Sequence, residues 1–181
     1  MGVRAVGKKT AHIAIRPRGL EMLKEVSGDI LLTGARAIAH GVAPNDNFNQ
    51  GLAHALRERF PAMYKDFRHH CRLTHPKAGG LWIWSGAEGP RVINLFTQDE
   101  APSQGTMPGA ATTHNVNLAL RALRKLIEEE KLASVAVPRL ATGVGKLTWD
   151  DVQPLVHRHL GDVDVPIYLY TTYRPGVKAT E

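Results

Sequence analysis

The sequence predicts an α/β domain in which helices are layered against a central, largely parallel sheet. Three observations carry this. Short apolar or β-branched runs recur along the chain, as at Ala37–His40, Arg91–Phe96, Ser134–Val137 and Val165–Tyr170. Segments with apolar residues at helical spacing separate them. The clearest is Thr113–Glu130, where Val116, Ala119, Leu120, Leu123 and Ile127 make one stripe. The two kinds of segment alternate, and a helix between strands returns the chain to the same sheet in the same direction.

Residues 1–11, with Arg4, Lys8 and Lys9, carry no pattern and read as a basic flexible arm. His12–Ile15 reads as an edge strand closed by Arg16-Pro17, and Glu21–Val26 as another. Ser27–Leu31 turns into a helical or irregular segment. Ala37–His40 is the first central strand, followed by a polar loop to Asn49. Gln50–Phe60 places Leu52, Leu56 and Phe60 on one helix face, and Pro61 restarts a helix carrying Met63, Tyr64 and Phe67. Leu81–Trp84 and Arg91–Phe96 are strands joined around Gly86 and Gly89, and Thr97–Ala111 is a long loop. After the helix Thr113–Glu130 comes the strand Ser134–Val137, ended by Pro138-Arg139. Thr142–Gly145 is a loop with two glycines free to take positive φ. Thr148 suits an N-cap, and Asp150 and Asp151 suit the first turn of a helix to Leu160. Val165–Tyr170 is the last strand. The chain divides into the arm, a single domain over 12–173, and a tail at 174–181.

The chain has 181 residues, 43% of them hydrophobic, enough for one sizeable core. A net charge of +6 favours anionic partners, or serves solubility alone. The single Cys71 excludes an intramolecular disulfide and fits a reducing compartment. No apolar run approaches the roughly 20 residues that span a bilayer. Met1-Gly2 lacks the hydroxyl residue of a myristoylation site, since position 6 is Val6. These readings give a cytoplasmic monomer away from membranes.

In an open parallel sheet, ligands sit beyond the carboxyl ends of the strands. The loops in that place start at Ser27, His40, Thr97 and Leu140. The stretch Val135–Asp151 runs strand, glycine loop, helix start, and such a row of backbone N–H groups can hold a phosphate. It can equally be an ordinary connection. Neither G-x-G-x-x-G nor G-x-x-x-x-G-K-[ST] occurs.

Taken together, those loops resemble a macrodomain, the ADP-ribose-binding α/β module. The pieces, over about residues 21–171, are Gly28-Asp29-Ile30-Leu31, Ile38-Ala39-His40, Gln50-Gly51-Leu52-Ala53 leading to Arg59-Phe60-Pro61, Ile93-Asn94-Leu95-Phe96-Thr97, Pro138-Arg139-Leu140-Ala141-Thr142-Gly143 and Leu147-Thr148-Trp149. Ile167–Tyr170 closes the set. His40 and the Leu-x-Trp are similar to the branch holding small ADP-ribose-1″-phosphatases and terminal ADP-ribose glycohydrolases. The resemblance implies a three-layer α-β-α fold with a mixed, largely parallel sheet. It implies binding of ADP-ribose, or of an ADP-ribosylated protein or nucleic acid, with no cofactor and no metal.

Residue by residue, the resemblance implies that Asp29 accepts from the adenine amino group beside Ile30, and that the backbone of Thr142, Gly143, Val144, Gly145 and Lys146, after Leu140, wraps the diphosphate. Gln50 and Gly51 would approach the distal ribose, near Thr97 and Gln98. Asp29 is otherwise a turn or helix N-cap residue. Phe48 either stacks on the ligand or plugs its loop. The terminal ADP-ribose glycohydrolases carry a Lys just after the strand that here ends at Phe96, and an Asp near Val144. This chain has Thr97-Gln98 and Gly145 there, so no lysyl–sugar adduct can form at that place. What remains is His40, matching the phosphatase-like members, with Asp46 beside it. His40 moves a proton or ties its loop to the sheet; Asp46 positions His40 or a water, or is a solvated turn residue.

Other clusters read as structural. His69, His70, Cys71 and His75 lack a second pair at ligand spacing, and a basic surface helix explains them. Trp82 and Trp84 share one strand face and pack under a helix or offer a stacking platform. Arg121, Arg124 and Lys125 read as a solvated face. The leading function is an enzyme hydrolysing ADP-ribosyl linkages of protein or nucleic acid, or an ADP-ribose phosphate ester. The alternatives are a non-catalytic ADP-ribose reader and a nucleic-acid binder.

Overall fold

The computed structural model describes residues 22–103 and 105–181. Six strands form one sheet: β1 (Leu23–Gly28), β2 (Ala37–Val42), β3 (Leu81–Trp84), β4 (Arg91–Phe96), β5 (Val135–Pro138) and β6 (Ile167–Tyr173). Their order across the sheet is β1-β6-β5-β2-β4-β3. All neighbours run parallel except β3 and β4. That pair is joined by the short connection 85–90, and a connection that short can only reverse the chain.

Strand parity sorts the core into two. Ala37, Ala39, Ile93, Leu95, Val135, Val137, Ile167 and Leu169 face α3 (Thr113–Glu129) and α4 (Trp149–Leu160). Ile38, Val42, Val92, Phe96, Ala136 and Tyr170 face α1 (Gly51–Arg59) and α2 (Pro61–Thr74). Two helical layers therefore enclose the sheet, as the resemblance implies. The period-2 rule also places His40, between Ile38 and Val42, on the α1–α2 side. No helix among the described residues is long and apolar enough to cross a membrane.

Several expectations change. The basic arm and the strand at His12–Ile15 lie outside the described residues. Residues 174–181 do not trail away; they fold back on β1, and Ala179 is buried. Cys71 is fully buried on the core face of α2, and His70 stacks on Trp82 at 5.1 Å, so both serve packing. Trp84 packs near Phe60 and donates to Asp66 at 2.9 Å. Arg124 is not merely solvated: it donates to the carbonyl of His159 at 3.1 Å, near the end of α4, and also pairs with Asp162 and Glu128. Thr148 occupies the N-cap of α4, yet its side chain makes no cap bond.

Candidate functional site

A cavity of about 590 Å³ opens at the carboxyl ends of the parallel strands. Sheet order dictates what lies along it. The β1 end supplies Asp29 and Ile30, β6 supplies Tyr170 and Tyr173, and β5 supplies Leu140 and Thr142–Gly145. The β2 end supplies His40, Asp46, Gln50 and Gly51, and β4 supplies Gln98 with Met107 from its long loop. The cavity thus spans five strand ends, about 19 Å across at roughly 4.8 Å per interval. That is an elongated cleft with three chemically distinct stations.

At the β1 station Asp29 is nearly buried. Its Oδ1 accepts from the Leu31 amide at 3.1 Å, capping the 3₁₀ turn Ile30–Leu32, and its Oδ2 accepts from the Gly176 amide at 3.0 Å. The N-cap reading of Asp29 is therefore realised. It leaves room for a ligand, because two carboxylate oxygens offer about four lone-pair sites and two are used.

At the middle station the loop after β5 is held by its own backbone. Lys146 N donates to Gly143 O at 3.1 Å, and Leu147 N to Ala141 O at 2.9 Å. Among the described residues, no group accepts from the amides of Thr142, Gly143, Val144 or Gly145. Unclaimed amides in a cavity wall can hold a phosphate. The positive φ values fall elsewhere than expected, at Ala141 (61°) and Lys146 (64°), and neither Gly143 nor Gly145 needs one. The two glycines serve space instead. A Cβ at Gly143 would meet nothing within 4 Å, so Gly143 opens onto the cavity. A Cβ at Gly145 would lie 2.6 Å from Ala141 O and 2.9 Å from Ala111 Cβ. No carboxylate side chain fits at 145 in this packing.

At the β2 station His40 is 1% exposed. It stands in register opposite Asn94, and His40 Nε2 donates to Asn94 Oδ1 at 2.7 Å. Asn94 Nδ2 turns to the Trp82 carbonyl at 3.4 Å, so the Asn94 oxygen is the atom left to accept. Nδ1 of His40 is then the bare nitrogen, and it has no partner among the described residues. Burial lowers the His40 pKa to about 4, against a partial rise from Asn94. The ring is neutral at pH 7: a hydrogen-bond acceptor at Nδ1 and a poor proton carrier. Asp46 is buried rather than solvated. Ala43 N donates to its Oδ2 and Phe48 N to its Oδ1, each at 2.9 Å. Burial raises its pKa, while those two amides oppose the rise. Of the two groups, the carboxyl is the one whose pKa moves toward neutrality, and the imidazole moves away from it.

Three residues expected at the ligand are not in the cavity wall. Phe48 turns inward at φ 53° and packs on His40 (5.6 Å), Tyr64 (5.4 Å) and Phe67 (4.7 Å), so it plugs the loop. Thr97 is fully buried, its hydroxyl facing Gly41, and Lys146 points to solvent. Gln98 does line the cavity, but its Nε2 is engaged with the Gly109 carbonyl at 3.1 Å, shaping the β4–α3 loop. Asp29, Ile30, His40, Asp46, Gln50, Gly51, Gln98, Leu140, Thr142, Gly143, Val144 and Gly145 are brought together. The sequence reading missed Tyr170, Tyr173, Met107 and the role of Asn94. A polar Asn inside the apolar run Val92–Phe96 was the available signal for the last.

The Macro domain family model matches residues 33–156. The DNA ADP-ribosyl glycohydrolases of Mycobacterium tuberculosis and Mycobacterium bovis are 31% identical over 81% of this chain and 42% of their own length. The chain thus spans about two fifths of these curated relatives. Among solved structures, the macrodomain of Mycobacterium tuberculosis DarG superposes with TM-score 0.67 at 28% identity, covering 82% of this chain and 97% of that one. The Thermus aquaticus DarG macrodomain gives 0.72 at 21% identity, covering 83% and 98%. Thermosipho africanus DarTG in complex with ADP-ribose gives 0.72 at 20%, covering 86% and 42%. These last two likenesses concern the fold.

Proposed function

The chain belongs to the Macro domain family, and on that premise we propose that it removes ADP-ribose from nucleic acid by hydrolysis. The observation that carries the reading is the order of stations along one cleft. A carboxylate acceptor, a loop of unclaimed amides and a His–Asp pair follow the order base, diphosphate, distal ribose. The relatives named as DNA ADP-ribosyl glycohydrolases and the net charge of +6 support nucleic acid as the carrier.

The chemistry follows from the β2 station. The distal ribose sits over Gly51, whose φ of 60° and open Cβ position let the backbone approach closely. His40, held by Asn94 and packed on Phe48, fixes the floor of the station on which the sugar rests. Asp46 takes a proton from the incoming water, whose oxygen bonds to the anomeric carbon. The nucleobase leaves with the electron pair of the glycosidic bond and is protonated from solvent. No lysine takes part, which agrees with Gln98 being tied to its loop and with the tight fit at Gly145.

The test is a panel of ADP-ribosylated DNA, ADP-ribosylated acidic peptide and ADP-ribose-1″-phosphate, with products read by mass in ¹⁸O water. Release of ADP-ribose from the oligonucleotide with one ¹⁸O at the anomeric position is expected. The presence of Gln98 and Gly145, where the terminal ADP-ribose glycohydrolases carry Lys and Asp, favours a second reading, a reader that binds without turnover. Tight ADP-ribose binding with no product from any substrate would establish that reading instead.

A further inference from the structure

We infer that residues 174–181 are a strap that sets the base selectivity of the cleft, with Glu181 positioning Asp29. This rests on the ADP-ribose reading. The strap grips the residue at the base station from two sides. Asp29 N donates to Val177 O at 2.7 Å, and Gly176 N donates to Asp29 Oδ2 at 3.0 Å. Arg174 N adds a bond to Gly28 O at 3.0 Å. Asp29 therefore owes both its backbone placement and one carboxylate oxygen to a segment almost 150 positions away in the chain.

Glu181 fastens the far end of the strap. Its Oε1 accepts from the hydroxyls of Thr33 and Tyr170, the latter at 2.5 Å, and its Oε2 accepts from Gly34 N at 3.0 Å. Tyr170 is a wall of the cavity, and burial together with Glu181 pushes its phenol up to about 12, so it remains a donor. One carboxylate thus joins the strap to the segment just after the 3₁₀ turn and to the β6 wall. Two glycines leave space for this docking. A Cβ at Gly28 would stand 2.8 Å from both Val177 O and Ala179 N, and one at Gly34 would stand 3.3 Å from Glu181 Oε2.

The chemical consequence is selectivity. A carboxylate held in one pose accepts from the exocyclic amino group of adenine. The same pose repels the carbonyl oxygen that hypoxanthine carries at that place. A carboxylate released to rotate does both jobs badly.

The test compares binding of ADP-ribose and inosine diphosphate ribose, by calorimetry, in the unaltered chain and in Glu181→Ala. The unaltered chain is expected to prefer ADP-ribose by about tenfold or more. Glu181→Ala should weaken ADP-ribose by about tenfold while inosine diphosphate ribose changes little, bringing the ratio near one. A chain ending at Tyr173 should behave the same way. If either folded variant keeps the full preference, or weakens both ligands equally, the inference is overturned. If the unaltered chain binds neither ligand, the ADP-ribose reading itself fails and this inference with it. That result is distinguishable because it appears before any substitution.

Discussion

The two ends of the cleft are built on different plans. At the base end each polar group of Asp29 is committed: one oxygen caps a turn, the other holds the strap, and the amide is bonded to Val177. At the distal end Asp46 is bonded in the same way, each oxygen to a loop amide, but His40 keeps a buried Nδ1 that has no partner among the described residues. A buried polar atom left unpaired costs about 1–3 kcal/mol. On the function proposed above, that cost falls at the reacting end of the cleft and is avoided at the holding end. Recognition needs groups locked in place, whereas chemistry needs groups that are incompletely satisfied until the substrate arrives.

The largest effect expected from this contrast is on rate. Asp46→Asn keeps one oxygen for the loop amides but removes the base, so kcat should fall by about 10²–10⁴-fold with ADP-ribose affinity little changed. Single-turnover release from ADP-ribosylated DNA, beside calorimetry and circular dichroism, measures both. An unimpaired rate in a folded Asp46→Asn chain would place the reacting group elsewhere and dissolve the contrast.

The middle station comes next, and its two glycines should fail in different ways. Gly143→Glu puts a negative side chain into open cavity, so ADP-ribose affinity should drop by more than about 100-fold with stability unchanged. Gly145→Ala forces a methyl against Ala141 O and Ala111, so stability should fall by about 1–3 kcal/mol. Urea denaturation and ligand titration of both variants separate the two roles. Normal binding by Gly143→Glu would make the loop an ordinary connection.

At the base end, Asp29→Ala should weaken ADP-ribose by about 1–3 kcal/mol through loss of the charge-assisted bond. Unchanged affinity for ADP-ribose would leave Asp29 as a structural cap alone.

What was legible in the sequence was what local pattern encodes. Periodicity located the helices and strands, and their alternation placed the loops at the carboxyl ends of the parallel strands. Parity even put His40 and Asn94 on the same sheet face once their strands were known to be neighbours. Their pairing was not legible, because it depends on the register between strands 54 positions apart. The strap was hidden for the same reason. Pro175-Gly176 looks like a loose end, and only the meeting of Glu181 with Thr33 and Tyr170 makes it part of the site. Phe48 shows a subtler limit. An aromatic in a polar loop beside a ligand pattern invites a stacking role, and its φ of 53° turns the ring into the core instead.

The last effect concerns acid stability, and it tests whether the His40 ring is as buried as described. The folded pKa of His40 lies near 4, below its ordinary 6.5, because burial disfavours the imidazolium. Between those values the unfolded chain binds a proton that the folded chain refuses, so stability falls as pH drops from 6.5 toward 4. The loss from this group between pH 7 and pH 5 should be about 2 kcal/mol. Asp46 acts with the opposite sign. Its folded pKa is raised, so it binds its proton more readily folded than unfolded, and falling pH favours the folded state through that group. The raw pH slope therefore mixes the two. Urea denaturation of the unaltered chain and of His40→Ala at pH 7, 6 and 5 isolates the histidine by subtraction. The His40→Ala chain is expected to be less stable at pH 7, having lost the Asn94 bond and the contact with Phe48, and to lose little more on acidification. If both chains show the same slope, solvent reaches the His40 ring in the folded protein. His40 would then be an ordinary solvated histidine, and the difference between the two ends would vanish.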